Sequence, residues 1–163
     1  MRRLCKGLLA ISFLVGAAQG AYAKCGDQAS DAADVLAARE QVQRDCNCAG
    51  AASHGDFVNC AAGIAKMRVD SSLLPPNCKG AVTKCAARSV CGKPGRVTCC
   101  ITKGKTTKGK TSKCKTKKDA DHCTANGGVV TGTSTSGCAS CCDACPAPGA
   151  GPSCVSSPSG AFD

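Results

Sequence analysis

Apolar residues recur at helical spacing in residues 27–45, which we predict to form a first helix. Val35, Val42 and Cys46 fall on one face of that helix, because positions three or four residues apart lie above one another along its axis. The apolar stripe is thin, and alanine supplies much of the remaining helix preference. The residues that offer oxygens to the first turn are Asp27, Ser30 and Asp31.

A second helix is predicted to begin after Ser53, which is followed three residues later by Asp56 in the pattern of a capping box. The apolar residues that follow share one face, which we expect to be a buried seam containing a cysteine. They are Phe57, Cys60, Ile64 and Met67.

Residues 77–91 are predicted to form a third helix, separated from the second by a pair of prolines. Gly92 and Pro94 provide its stop signal. One face of this helix carries Cys78, Val82 and Cys85. The three segments together predict a small antiparallel helical unit with cysteines in its seams.

After Pro94 the apolar period changes to two, as expected of a β-strand that includes Cys99 and Cys100. Adjacent strand residues point to opposite faces, so these two cysteines should bond to different partners. A second alternating segment carries three lysines on one face, with Cys114 and Thr116 on the other; the lysines are Lys113, Lys115 and Lys117. A turn rich in glycine and lysine at 104–109 joins the segments, and we predict a two-stranded hairpin.

A short helical turn at 119–125 and a weak further strand at 129–135 are predicted next, followed by the cysteine-rich end of the ordered part. From residue 146 the composition is proline, alanine, glycine and serine, which predicts a flexible tail tethered at Cys154. The expected fold is a small disulfide-rich α+β protein. Its parts are a leader at 1–23, a helical unit at 24–92, a hairpin and Cys-rich unit at 93–145, and a tail at 146–163.

The first 23 residues have the organisation of a signal peptide. A basic start precedes an apolar run at 8–18, and Ala21 and Ala23 stand where a signal peptidase reads small residues. Cleavage after Ala23 is therefore expected. No later segment approaches the ~20 apolar residues of a membrane span. The predicted location is extracytoplasmic, either secreted or periplasmic.

The cysteine content agrees with export, because an oxidising compartment allows disulfides to persist. Of 17 cysteines, Cys5 lies in the leader, and the even number left permits at most eight bridges. Phe57 and Phe162 are the only aromatic residues after the leader, so we expect covalent links to substitute for an apolar core. The predicted disulfide cysteines are Cys25, Cys46, Cys48, Cys60, Cys78, Cys85, Cys91, Cys99, Cys100, Cys114, Cys123, Cys138, Cys141, Cys142, Cys145 and Cys154.

The spacing of Cys138, Cys141, Cys142 and Cys145 also suits a metal or a redox-active Cys-x-x-Cys pair. Export favours bridges over both alternatives, and we expect no metal and no cofactor.

Charge is concentrated in one segment. Without the three basic residues of the leader, 18 basic residues face 11 acidic ones, a net charge of +7. The predicted anion-binding residues lie within 16 residues that contain no acid: Lys103, Lys105, Lys108, Lys110, Lys113, Lys115, Lys117 and Lys118. They suit non-specific contact with anionic polysaccharide, lipid head groups or extracellular DNA. No aromatic residue stands among them to stack on bases. Edge-strand protection explains them equally well.

His54 and Asp56 resemble an acid-base pair, but residues two apart on a helix project to different sides. We therefore favour a helix-capping role for Asp56, and we assign no catalytic residue. We expect a non-enzymatic binding or structural protein that contacts anionic envelope or extracellular material. The alternatives are a secreted effector, inhibitor or antimicrobial protein, and a small hydrolase that uses His54. Oligomeric state is left open.

One resemblance concerns most of the cysteine-rich region. The runs Cys46-Asn-Cys48, Leu74-Pro-Pro-Asn-Cys78 and Val97-Thr-Cys99-Cys100 belong to a pattern that looks like one found in uncharacterised cysteine-rich exported bacterial proteins. The likeness covers roughly residues 46–145. It implies an exported, bridged protein and carries no activity with it.

Overall fold

The computed structural model describes residues 24–103 and 111–145 of the chain. These residues form four α-helices and three strands of one antiparallel sheet, so the predicted α+β class is confirmed. The helices are α1 (Asp31–Asp45), α2 (His54–Asp70), α3 (Lys79–Ala87) and α4 (Ala120–Thr124), with a 3-10 turn at Pro76–Cys78 before α3. The strands are β1 (Val97–Lys103), β2 (Thr111–Lys117) and β3 (Gly128–Gly132).

Helix α1 begins at Asp31, four residues later than predicted. The Asp31 carboxylate is buried and its Oδ2 accepts hydrogen bonds from the backbone N–H groups of Gly26 at 2.8 Å and Gln28 at 3.3 Å. Asp27 in turn accepts from the N–H of Lys24 at 2.6 Å. The acidic side chains therefore stabilise a turn before the helix, because short carboxylates compete with helical hydrogen bonds for nearby backbone groups.

Helix α2 begins as predicted, at the capping box. The hydroxyl of Ser53 accepts from the backbone N–H of Asp56 at 3.1 Å and donates to the Asp56 carboxylate at 2.7 Å. One N–H at the start of the helix thereby gains a partner. The carboxylate bonds to the hydroxyl, so Asp56 serves the cap.

The buried seam of α2 differs from the prediction at two positions, since Cys60 is only half-buried and Met67 is exposed. Phe57 and Ile64 are buried as expected, whereas Met67 is 48% exposed. The seam is continued by Ala61 and Ala65, which are fully buried. Ala61 and Ala65 lie four and eight residues after Phe57, so they continue its row along the helix surface, and this row does not include Met67. Their small side chains allow the neighbouring helices to approach closely.

Helix α3 ends at Ala87, four residues before the predicted end. The chain after it leaves the helix to pair with the cysteine-rich segment 138–145. The backbone N–H of Val90 donates to the carbonyl of Ala139 at 2.8 Å, and Ser89 forms an isolated β-bridge with Ser140. Tertiary pairing has thus replaced the last helical turn that the sequence pattern predicts.

The core between α1, α2 and α3 is built from small side chains. Seven of its twelve buried residues are alanine or cysteine, and Phe57 is its one aromatic residue. Since apolar burial stabilises in proportion to area, at ~25 cal/mol per Å², such side chains contribute little each. The helices need another source of stability.

The sheet has the order β2-β1-β3, with β1 in the centre. The antiparallel β1–β2 pairing places Cys100 opposite Cys114 and Ile101 opposite Lys113. The predicted unit of two strands is incomplete, because β3 pairs with the other side of β1 and places Cys99 opposite Val130. The predicted turn at 104–109 and the tail at 146–163 lie outside the described residues.

Each face of the sheet is covered by a different segment. Val97, Cys99 and Ile101 form a small buried cluster with Cys123 of α4. On the opposite face, the fully buried hydroxyl of Thr98 donates at 2.6 Å to the carbonyl of Cys138 in segment 138–145. The sheet therefore lies between α4 and the cysteine-rich segment.

Seven disulfides join fourteen of the fifteen described cysteines, in agreement with the predicted disulfide framework. Cys99 and Cys100 have different partners, which confirms that they point to opposite faces. The bridges are Cys25–Cys78, Cys46–Cys60, Cys48–Cys91, Cys85–Cys142, Cys99–Cys123, Cys100–Cys145 and Cys114–Cys141.

Segment 138–145 holds the helices and the sheet together. Its cysteines reach three elements: Cys142 bonds to α3, Cys141 to β2 and Cys145 to β1. Arg39 of α1 also forms an ion pair with Asp143, with both side chains largely buried. Burial lowers the pKa of Arg39, because the guanidinium loses part of its hydration there.

We predict that non-reducing peptide mapping recovers these seven bridges together with an eighth between Cys138 and Cys154. Sixteen cysteines lie after residue 23 and fourteen of them occupy the seven bridges. Cys138 is itself disulfide-bonded. Recovery of Cys154 as a free thiol, or of Cys141 and Cys142 bonded to the same element, would contradict the prediction.

The turn at Gly92 provides a second test. Gly92 has φ +66°, and a Cβ there would collide with the backbone of Ser53 and His54. We expect Gly92→Ala to lower the free energy of unfolding by about 1–3 kcal/mol. Gly63→Ala is the matched control, since Gly63 lies in α2 with open space around it and should gain up to about 1 kcal/mol. Equal effects in calorimetric unfolding of the oxidised protein would count against this close approach.

Candidate functional site

The lysines of β2 lie on the sheet face that also carries the small apolar cluster. Lys113, Lys115 and Lys117 pair with Ile101, Cys99 and Val97 of β1, and directly opposed residues of an antiparallel pair share a face. Lys113 and Lys115 are exposed and Lys117 is half-buried. Lysine can lay its aliphatic stem along apolar surface while its ammonium reaches water. This arrangement keeps positive charge beside the cluster without burying it.

A groove of about 250 Å³ runs beside these lysines, and we call it the lysine groove. Its residues are Ile101, Lys113, Lys115, Lys117 and Asn126. Ile101 is buried and supplies the apolar floor, while the three lysines that line the groove make it basic.

Helix α4 holds Asn126 in place at the groove. The Nδ2 of Asn126 donates to the carbonyl of His122 at 2.7 Å. Asp119 caps the same helix, accepting from the backbone N–H of His122 at 2.8 Å and contacting its Nδ1 at 2.7 Å. The backbone N–H bond first, and then the side-chain bond, lower the pKa of Asp119 below its ordinary value. This carboxylate therefore has local partners on its own helix.

The structure brings together three of the eight lysines predicted to bind anions. Lys118 follows β2 and is exposed, but it does not line the groove. The side chain of Lys103 lies outside the described residues, together with Lys105, Lys108 and Lys110. Sequence reasoning missed Ile101 and Asn126 as groove residues. The strand register could have identified Ile101, whereas the position of Asn126 depends on how α4 packs.

His54 contacts backbone carbonyl groups and makes no bond with Asp56. Its Nδ1 lies 2.9 Å from the carbonyl oxygen of Cys91, and its Nε2 lies 3.2 Å from that of Ala87. The imidazole thus connects the start of α2 with the chain that follows α3. This geometry favours a structural role for His54.

The cysteines considered as metal ligands are committed to bridges. Cys141, Cys142 and Cys145 bond to three different elements, and Cys138 is disulfide-bonded as well. A second group consists of Cys25, Asp31 and Cys78, whose ligand atoms lie within 4.8 Å of one another. The two sulfurs of that group form a disulfide with each other, so they are not thiolates available to a metal.

None of the helices within the described residues is long and apolar enough to cross a bilayer. No protein family, no curated protein and no solved structure matches this chain. The likeness to exported cysteine-rich bacterial proteins therefore stays a prediction.

We predict that His54→Ala lowers the free energy of unfolding by about 1 kcal/mol, because it removes the hydrogen bond that the imidazole N–H donates to a backbone carbonyl of a segment distant in sequence. His122→Ala is the matched control, since His122 is exposed and its bonds stay within α4 and its cap. Thermal unfolding of both variants provides the measurement. A hydrolytic activity of the wild-type protein that disappears in His54→Ala, with stability unchanged, would overturn the structural assignment.

Proposed function

We propose that the protein is an exported, disulfide-stabilised, non-enzymatic binding protein that contacts anionic envelope or extracellular material. The contact surface is the lysine-rich segment 103–118. The observation that carries the proposal is the convergence of Lys113, Lys115 and Lys117 on one groove, in a segment that contains no acid. Clustered ammonium groups in a concave site raise the local concentration of anions.

The disulfide framework supports the extracytoplasmic part of the proposal. Seven bridges in the described residues need an oxidising compartment to persist. The leader at 1–23 would deliver the chain to such a compartment. Cross-linked proteins also tolerate the proteases and variable conditions of that environment, because the bridges restrict the unfolded state.

The local chemistry supports binding over catalysis. His54 is engaged by two backbone carbonyls, and His122 is engaged by Asp119. Asp56 bonds to Ser53 at the helix cap. A general acid or base must be free to reach a substrate proton. These titratable groups instead have structural partners.

Edge protection is the competing account of the lysines. Strand β2 is at the edge of the sheet, and charged side chains on edge strands prevent pairing with other chains. Protection against edge-to-edge pairing needs charged side chains somewhere on the strand, and it does not involve a ligand. Binding requires the lysines to retain an anionic surface, and this difference can be measured.

We expect the mature oxidised protein to be retained on immobilised heparin and released by salt. Replacing Lys113, Lys115, Lys117 and Lys118 with glutamine should abolish most of the retention, because exposed charge pairs with a polyanion depend on these ammonium groups and are screened by salt. The measurement is the salt concentration at elution.

The matched control replaces four exposed lysines of other regions, with the same loss of charge: Lys24, Lys66, Lys79 and Lys84. This variant should elute close to the wild-type position. If the two variants elute together, retention depends on net charge alone, and the lysines of β2 and Lys118 are not the contact surface.

A further inference from the structure

We infer that the lysine groove is a track for one extended phosphodiester strand, recognised through its backbone charges. The inference rests on the proposed function and deepens it, since it names the class of ligand and the groups through which the protein recognises that ligand. Four features of the groove support it: the spacing of its charges, its size, the chemistry of its side chains and the exposed edge of β2.

The charge spacing suits a linear polymer. Lys113, Lys115 and Lys117 alternate along a strand, so their Cα atoms follow one another at about 6.7 Å. Neighbouring phosphates of an extended phosphodiester strand are separated by a short sugar or polyol linker of comparable length. Each ammonium can therefore meet a successive phosphate when the polymer lies along β2.

The size of the groove suits a segment of a polymer. At about 250 Å³ it is smaller than pockets that enclose a complete drug-sized ligand, which start at about 300 Å³. Its floor is a single apolar residue, Ile101, which can contact the carbon chain of the linker. A strand that enters at one end and leaves at the other needs no larger enclosure.

The side chains suit phosphodiester groups more than bases. Lysine binds phosphate as a point charge and sets no fixed orientation, whereas arginine would impose a planar, bidentate geometry. The groove contains lysine and no arginine. It also contains no aromatic ring, and Phe57, the only aromatic among the described residues, is buried in the helical core. Without a stacking platform, the bases contribute little to binding.

The edge of β2 adds neutral donors. In the described residues β2 pairs only with β1, so its outer edge carries backbone N–H groups that the ladder leaves unpaired. Backbone N–H groups are common phosphate ligands in nucleic-acid complexes. They lie next to the lysine row and extend the same track.

The test uses fluorescence anisotropy to compare the binding of three probes of equal charge to the mature oxidised protein. They are an abasic single-stranded oligonucleotide, an oligothymidylate and an oligomer of uronic acid. We expect the two oligonucleotides to bind equally, both more tightly than the uronate. The logarithm of the affinity should fall with the logarithm of salt concentration with a slope of about −2, since three single-strand phosphates are contacted.

Two variants with identical charge loss locate the site. Lys115→Gln removes the middle lysine of the groove, whereas Lys118→Gln removes an exposed lysine outside it. We expect Lys115→Gln to weaken binding to the abasic probe about fivefold more than Lys118→Gln, and to reduce the salt slope by about 0.7.

The outcomes separate this inference from the proposed function. Equal weakening by the two variants, or tighter binding of the uronate, would overturn the phosphodiester track while leaving polyanion binding in place. Tighter binding of the oligothymidylate than of the abasic probe would show that bases are read, which also overturns it. Failure to bind any of the three probes, with no retention on heparin, would remove the proposed function itself.

Discussion

The structure depends on covalent cross-links that connect segment 138–145 to the elements around it. Cys141 and Cys142 are adjacent, yet one bonds to β2 and the other to α3. Cys145 adds a link to β1. A bridge typically contributes about 2–4 kcal/mol by restricting the unfolded chain, although neighbouring bridges are not additive. A core dominated by alanine and cysteine offers much less per residue, so the cross-links decide which segments meet.

The same constraint explains how the lysine groove can exist. Segment 138–145 is tied to one face of the sheet, and α4 is tied to the other through Cys99–Cys123. Both faces of the central strand are thus covered, although Val97 and Ile101 are the only branched apolar side chains in the buried cluster of the sheet. The lysines of β2 stand beside α4, where water still reaches them. Positive charge can therefore be concentrated at the groove without destabilising the helical core, because that core does not include the lysine groove.

Much of the secondary structure could be predicted from local chemistry. The capping box at Ser53, the period-two pattern through Cys99 and Cys100, and the lysine face of β2 all depend on residues close in sequence. The errors occur where distant residues compete. Helix α3 stops early because Val90 pairs with Ala139, and this partner is remote in sequence.

The disulfide connectivity could not be predicted for the same reason. Sixteen cysteines allow a very large number of pairings, and helix or strand faces constrain only which side of an element a cysteine occupies. The groove was partly predictable, since alternation placed the lysines together. Its floor and rim depended on the strand register and on the position of α4.

The central claim is that disulfide cross-links replace a large apolar core as the source of stability. The most direct test is to measure amide hydrogen exchange of the oxidised protein and of its fully reduced, alkylated form. The account predicts slow exchange at the helix and sheet amides of the oxidised protein, and exchange close to that of an unfolded chain after reduction. Retention of slow, cooperative exchange in the reduced protein would contradict it, because the small side chains of the core would then be sufficient on their own.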